Sequence, residues 1–229
     1  MSLLILHLET STKICSVALS QDGILLAHND QTGDGYIHGE ALTLMIEDLL
    51  QNANKTLRDL QAISFSSGPG SYTGLRIGLS TVKGLCYALS IPLIAISTHQ
   101  ILFQMAMQIG SNRPQNTIAL LDARRSEVYM EVFDAQGKSI LPLQCALLEQ
   151  TDISNYLPAL VVGDSNLKAQ TYWTANDLIW KNDALSARFQ VQAALQKFED
   201  QQFDLNEIRE LVFCPQCELK SKSCFYMIQ

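Results

Sequence analysis

Three short apolar runs open the chain, at residues 3–9, 15–20 and 24–29, and each reads as a strand. Their connections are short: Thr10-Ser11-Thr12-Lys13, then Gln21-Asp22-Gly23, where Asp-Gly is a strong hairpin signal. The chain therefore opens on an antiparallel three-stranded meander. That argues against a Rossmann domain, which opens strand–helix–strand with its glycine motif after the first strand. Residues 31–39 are polar and glycine-rich and read as a loop. Residues 40–53 read as a helix, with Leu42, Met45, Ile46, Leu49 and Leu50 on or beside one stripe. A buried strand at 62–66, a glycine-rich turn and a helix at 75–89 follow. Residues 91–96 form a fifth strand, with Pro92 near its start where a missing N–H is tolerated, and 98–109 a third helix. The order β-β-β-α-β-α-β-α predicts a mixed sheet covered by helices.

The second half repeats this style less clearly. Residues 110–115 carry Gly, Ser, Asn and Pro and read as a linker, dividing a lobe at 1–110 from a smaller lobe and tail at 111–229. Strands are expected at 117–121 and 127–133, around Asp122-Ala123-Arg124-Arg125-Ser126. Residues 139–148 form a strand region interrupted by Pro142, and 159–164 a strand ending in a turn. Residues 184–200 have helical composition. The last thirty residues show no readable pattern, and the chain carries no fixed-period repeat.

Composition narrows the function classes. A chain of 229 residues is enough for one large domain or two small lobes, and 47% hydrophobic with 17% charged residues is ordinary for a globular protein. The net charge of −7 argues against this chain alone being the main docking surface for nucleic acid, which rests on Lys and Arg neutralising phosphates. The N-terminal residues lack a basic segment and a long enough apolar run for a signal peptide, and no stretch approaches a membrane span, so the cytoplasm is expected. Cys15, Cys86 and Cys145 lie in apolar surroundings and read as small buried residues. Cys214-Pro215-Gln216-Cys217, with Cys224 beyond, reads as a tail with incidental cysteines, since no histidine follows His99 to complete a zinc site.

The candidate chemistry centres on Gly68-Pro69-Gly70-Ser71-Tyr72-Thr73-Gly74-Leu75-Arg76. A strand, a glycine turn and a helix N-terminus make a natural anion site; the same glycines also suit a tight turn and close helix packing. The block is neither a dinucleotide fingerprint nor a P-loop: Thr73 stands where a third glycine belongs, and no Gly-Lys-Ser/Thr follows. Gly163-Asp164-Ser165 resembles an esterase nucleophile but lacks a later histidine base. His7, His28, His38 and His99 share no metal-binding spacing. Glu9, at the first strand's end before Thr10-Ser11-Thr12, stands where a hairpin tip meets a phosphate-bound metal; a plain strand-end acid is the alternative. Arg124 and Arg125 suit carboxylate or phosphate recognition, or a solvated turn.

These blocks, with Lys83-Gly84-Leu85, Ile91-Pro92-Leu93, Ile96-Ser97-Thr98 and Ser126-Glu127-Val128-Tyr129, together resemble the TsaB (YeaZ) family over residues 3–134, and Val162-Gly163-Asp164 extends the resemblance. It implies an α/β fold of the ASKHA (actin/Hsp70-like) class with two ribonuclease-H-like lobes. It implies a non-catalytic subunit in making threonylcarbamoyladenosine beside the anticodon of tRNA. Such a subunit pairs with a TsaD-like paralogue that holds the metal and the transferase site, and a TsaE-like ATPase joins them. ATP and metal then belong to the partner subunits, with no cofactor on this chain, and tRNA is met only through the complex. The TsaD-type metal pair, His-x-x-x-His, falls here on Thr98 and Leu102. The alternatives are a stand-alone ASKHA nucleotide-binding protein and a degenerate metalloprotease-like enzyme.

Two helices are the expected docking surface. The resemblance implies a helical bundle shared with the TsaD-like partner, or with a second copy when that partner is absent. Leu42, Met45 and Leu49 on the first helix are assigned to it. So are Gly74, Gly78, Thr81, Leu85 and Ala88 on the second, where small side chains allow close approach. A charge at Gly78 is expected to block pairing and leave the lobe folded. Glu9, Thr10, Ser11, Thr12, Gly70, Ser71 and Arg124 are the expected contacts to a phosphate or other anion. The chain departs from the family pattern at Gly39, where serine is usual, and in Cys214-Pro215-Gln216-Cys217-Glu218-Leu219-Lys220.

Overall fold

A computed structural model describes residues 2–32, 37–108 and 113–204, and at residues 37, 38 and 40 the backbone alone. The Cys214–Cys217 pair, Cys224 and the tail pattern lie outside the described residues. Strands β1 (Leu4–Glu9), β2 (Ile14–Gln21) and β3 (Ile24–Thr32) form the expected antiparallel meander. Asp22 and Gly23 both take positive φ, 51° and 77°, which is why Asp-Gly serves this turn. Strands β4 (Ala62–Ser66) and β5 (Leu93–Ile96) add in parallel on the other side of β1, giving the order β3-β2-β1-β4-β5. The second sheet repeats this arrangement with β6 (Asn116–Asp122), β7 (Glu127–Phe133), β8 (Ser139–Leu147), β9 (Ala159–Gly163) and β10 (Leu178–Lys181), in the order β10-β9-β6-β7-β8. Two mixed sheets with one topology, flanked by helices, make the two-lobed ASKHA fold.

The outer face of the first sheet is covered by α1 (Ile37–Asn52) and α2 (Tyr72–Leu89). Leu6, Leu8, Val17, Ile63 and Phe65 of the strands meet Leu42, Met45, Leu49, Leu79 and Val82 of the helices in one buried cluster. Full burial of such side chains contributes about 1.5–3 kcal/mol each. Helix α2 starts three residues earlier than expected because the Ser71 side chain accepts the Gly74 N–H at 3.3 Å and caps the first turn. Between β8 and β9 the described residues form no long helix. Short 3-10 turns at Leu148–Gln150 and Ser154–Tyr156 stand there, with α4 (Asn166–Ala169) after β9.

The lobes exchange their last elements. Helix α3 (Thr98–Met107) leaves the first sheet and packs on the second, against β6, β7 and β9. The 3-10 turn Ala187–Gln190 and α5 (Val191–Glu199) leave the second sheet and pack on the first. Ile5, Ile94 and Ile96 thereby join Leu102, Met105, Leu121, Tyr129, Leu160 and Phe189 in a continuous core between the sheets. The free edge of β5 is closed by Asp204 and Lys197. Asp204 donates its N–H to Leu93 O at 3.0 Å and accepts the Ala95 N–H on Oδ2 at 2.7 Å, while Lys197 Nζ donates to Ala95 O at 2.6 Å. Among the described residues no helix is long and apolar enough to cross a membrane.

Candidate functional site

The glycine turn between β4 and α2 lies directly against the β1–β2 tip. Ser71 donates its N–H to Ser11 O at 2.6 Å, and a Cβ at Gly70 would strike that same carbonyl. Beneath them Glu9 is fully buried. Its Oε1 accepts the Ser11 N–H at 2.7 Å, the Ser11 hydroxyl at 2.5 Å and the Ser66 hydroxyl at 2.9 Å. Burial raises the Glu9 pKa, and the bonds from Ser11 and Ser66 oppose that rise. Thr10 is buried and donates its N–H toward Ser66 Oγ at 3.4 Å, and Thr12 Oγ1 accepts the Ile14 N–H at 3.3 Å.

This geometry corrects the expected anion site. Two of its donors, the N–H groups of Ser11 and Ser71, are used within the turn itself. Glu9, Thr10, Ser11, Thr12, Gly70 and Ser71 are brought together as expected, but as a clamp between tip and turn. Arg124 belongs to the other sheet, at the β6–β7 turn. It is exposed, and its N–H donates to Asp122 Oδ1 at 3.1 Å.

The docking helices also need correction. Leu42, Met45 and Leu49 are buried under the helix on the sheet, so the apolar stripe legible in the sequence is the inward one. The outward face of α1 carries Thr43, Leu44, Glu47 and Asp48. Gly74 and Gly78 are buried, and a Cβ at Gly78 would strike the Thr10 hydroxyl, so the small residues receive this chain's own β1–β2 tip. A charge at Gly78 would therefore disrupt the lobe as well as any pairing. Thr81 and Leu85 are half-buried and Ala88 is exposed. Tyr87, 90% exposed, and Leu44, 61% exposed, are the large apolar side chains these helices hold out to solvent, and a Cβ at Gly84 would meet open space.

The family model described as TsaD, tRNA N6-adenosine threonylcarbamoyltransferase, matches residues 36–157, just over half of the chain. The curated protein "tRNA threonylcarbamoyladenosine biosynthesis protein TsaB" of Escherichia coli (strain K12) is 36% identical over 136 residues, covering 59% of this chain and 57% of that protein. Its namesake from Haemophilus influenzae is 35% identical over 128 residues, covering 56% and 52%. The solved structure of YeaZ from Pseudomonas aeruginosa superposes with a TM-score of 0.79 at 26% identity, covering 92% of this chain and 98% of that one. The chain belongs to the TsaB (YeaZ) family. The aligned stretch spans a little over half the length of the curated TsaB relatives.

In this TsaB-family chain the strand β5 leads straight into α3, where the TsaD-type histidine pair would stand. Thr98 and Leu102 are buried there in the core between the sheets, and Thr98 donates its N–H to Gly68 O at 2.9 Å. A hydroxyl and an isobutyl group sealed in that core do not fit a metal ion. His99 beside them is also buried. Its Nε2–H donates to Tyr129 O at 3.0 Å, and burial lowers its pKa to about 4 despite that bond.

Sequence reasoning missed the polar seam that joins the two halves of this TsaB fold. His7 of β1 reaches Ser64 Oγ and Ser20 Oγ, each at 2.7 Å. Gln190 Nε2 donates to Leu8 O at 2.7 Å, so its Oε1 is the acceptor for the Ser64 hydroxyl, also at 2.7 Å. Ser64 must then accept from His7 Nδ1–H, which leaves Nε2 to accept from Ser20. Burial pushes the His7 pKa down to about 3. Nearby, Asp30 Oδ1 accepts the hydroxyls of Ser16 and Ser186, and Ser16 Oγ accepts the Ala187 N–H at 2.7 Å. The alternation His7–Ser64 on facing strand positions was present in the sequence. Its partner 126 residues further on was not legible there.

Proposed function

We propose that this chain is an accessory, non-catalytic subunit of a complex that makes threonylcarbamoyladenosine in tRNA, and that it pairs with a TsaD-like transferase through the outward faces of α1 and α2. The observation that carries the reading is that α1 and α2, whose other faces are anchored to the sheet, hold Leu44, Tyr87 and Ala88 out to solvent with open space at Gly84, in a chain of this family. A rigid helix pair that sets exposed Leu44, Gly84, Tyr87 and Ala88 among polar residues suits helix-on-helix docking. Thr98 and Leu102 support the non-catalytic part, since neither can hold the metal that the resemblance places at those positions. ATP and metal then belong to the partners. The clamp of Ser11 on Gly70 and Ser71 weighs against a stand-alone nucleotide-binding protein.

Reconstitution of tRNA threonylcarbamoylation with purified transferase and ATPase, with and without this chain, tests the reading. Activity should depend on the chain and fall when Tyr87→Glu is used in its place, while that variant keeps the wild-type melting temperature. Full activity without the chain would refute the role. Full pairing by Tyr87→Glu would refute the surface.

A further inference from the structure

The two sheets have four edge strands, and among the described residues three are protected. Strand β5 is closed by Asp204 and Lys197, β10 has only four residues, and β8 carries Pro142 within it. Strand β3 differs. It runs for nine residues without Pro, Lys or Arg, and among the described residues it pairs with β2 alone. Its one irregularity is a bulge at Leu26, which has no partner between the Leu19–Ala27 and Ser20–Leu25 pairs. Ile24, Leu25 and Leu26 are 69%, 38% and 45% exposed. Three consecutive apolar side chains therefore stand along an edge whose outer backbone groups bond to no described residue. Such an edge is a template for a further strand.

We propose that Cys224-Phe225-Tyr226-Met227-Ile228 of this same chain adds to β3 as a sixth strand of the first sheet. The run is apolar, and Phe, Tyr and Ile suit a strand. It lies within reach. The described chain ends at Asp204 on the β5 edge, and β3 lies four strand spacings away, about 19 Å. Helix α5 lies between, bonded to Gly23 O through Gln192 and to Ala95 O through Lys197, so the path must go round it. The twenty residues from Asp204 to Cys224 span up to about 66 Å, which allows that detour. The nearer apolar run, Leu211-Val212-Phe213, starts only seven residues out, a span of about 23 Å with little slack, and Pro215 behind it donates no N–H. Charge agrees with the assignment. Residues 22–30 hold Asp22 and Asp30 with no Lys or Arg, and Lys220 and Lys222 stand just before the run. A tether within one chain gives the segment an effective concentration in the millimolar range, which favours it over a second copy or a partner at micromolar concentration.

Hydrogen exchange on the full chain, read by mass spectrometry, tests it. In the wild type, residues 24–30 and 224–228 should both be protected. Truncation after Ser223 should speed exchange of the outward amides of β3 by about tenfold. Phe225→Asp and Leu25→Asp each place a charge on one side of the pairing and should release both segments together. Exchange in β1 and β4 should stay as in the wild type, which separates lost docking from unfolding. Unchanged β3 exchange in the truncated chain overturns the proposal. Protection that rises with protein concentration alongside a sedimenting dimer also overturns it, because the edge then belongs to a second copy. Protection that appears only when the transferase is added overturns it in favour of that partner.

Discussion

Lowering the pH from 7 to 5 should destabilise this fold chiefly through His7 and His99. Both are fully buried and neutral in the folded chain, with pKa values driven down to about 3 and about 4. Unfolded, both return to about 6.5 and take up a proton. Their contribution is therefore complete above the unfolded pKa and is lost as pH falls through 6.5 toward 3–4. At pH 5 each histidine lies about 1.5 units below its unfolded pKa, which at about 1.4 kcal/mol per unit removes up to about 2 kcal/mol. The two together remove up to about 4 kcal/mol, or roughly 8–16 °C of melting temperature in a chain of this size. Glu9, Glu131 and Asp164 act in the opposite sense, because burial raises their pKa values, so the net loss should be smaller than that sum. Urea unfolding at pH 7, 6 and 5 measures it. His7→Gln loses the bonds to Ser20 and Ser64 and should cost about 1–3 kcal/mol at pH 7. It can take up no proton, so its stability should fall with pH about half as steeply as the wild type's. Equal stability of the wild type at pH 7 and pH 5, or an unchanged slope in His7→Gln, would refute the assignment of the acid sensitivity to these side chains.

Three further outcomes follow from the same geometry. Glu9→Gln keeps an acceptor for Ser11 and Ser66 but cannot ionise. Since a raised carboxyl pKa means stability lost as pH rises, the variant's melting temperature relative to wild type should climb between pH 5 and pH 8, and a flat difference would contradict the buried-acid account. Gly78→Ala should cost about 1–3 kcal/mol through its clash with Thr10, whereas Gly84→Ala, with open space around it, should gain up to about 1 kcal/mol of helix propensity; equal effects in chemical denaturation would show that Gly78 is not tightly packed. Gln190→Ala takes away the acceptor of the Ser64 hydroxyl, which keeps its bond from His7, and the side-chain donor to Leu8 O; it should cost about 1–3 kcal/mol, read as faster proteolysis within the 187–199 segment, and unchanged proteolysis would mean the seam does not hold the lobes.

The order of strands and helices along the first half, the opening meander and the first three helices were legible because their periodicities are long and their turns carry strong signals such as Asp22-Gly23. The four residues of α4 and the four of β10 are too short for any period to show, and both were absent from the expectation. The docking face was misread for a physical reason. An apolar stripe reports which side of a helix is buried, and in α1 the sheet, not a partner, buries it. The glycine block identified the family, yet the specific use of Gly70 and Gly78 depends on Ser11 and Thr10, which are some sixty residues away in sequence. Nothing in the sequence tied Gln190 to β1 and β4. That junction is made of ordinary serines, a histidine and a glutamine, and only the crossing of the lobes brings them into hydrogen-bonding reach.

The exchange of closing elements sets a timetable for the newborn chain. The inner face of the first sheet is covered by residues 187–199, and the Leu8–Gln190 bond spans 182 residues of sequence. At ordinary translation rates of about 5–20 residues per second, β1 waits on the order of 9–36 s for Gln190 to be made. Through that interval Ile5, Ile94 and Ile96 lack their full apolar cover and His7 lacks its link to Gln190. The first lobe of the nascent chain then stays without the inner cover that residues 187–199 supply. A split at the lobe boundary, made to express either sheet alone, should reproduce that unfinished state permanently.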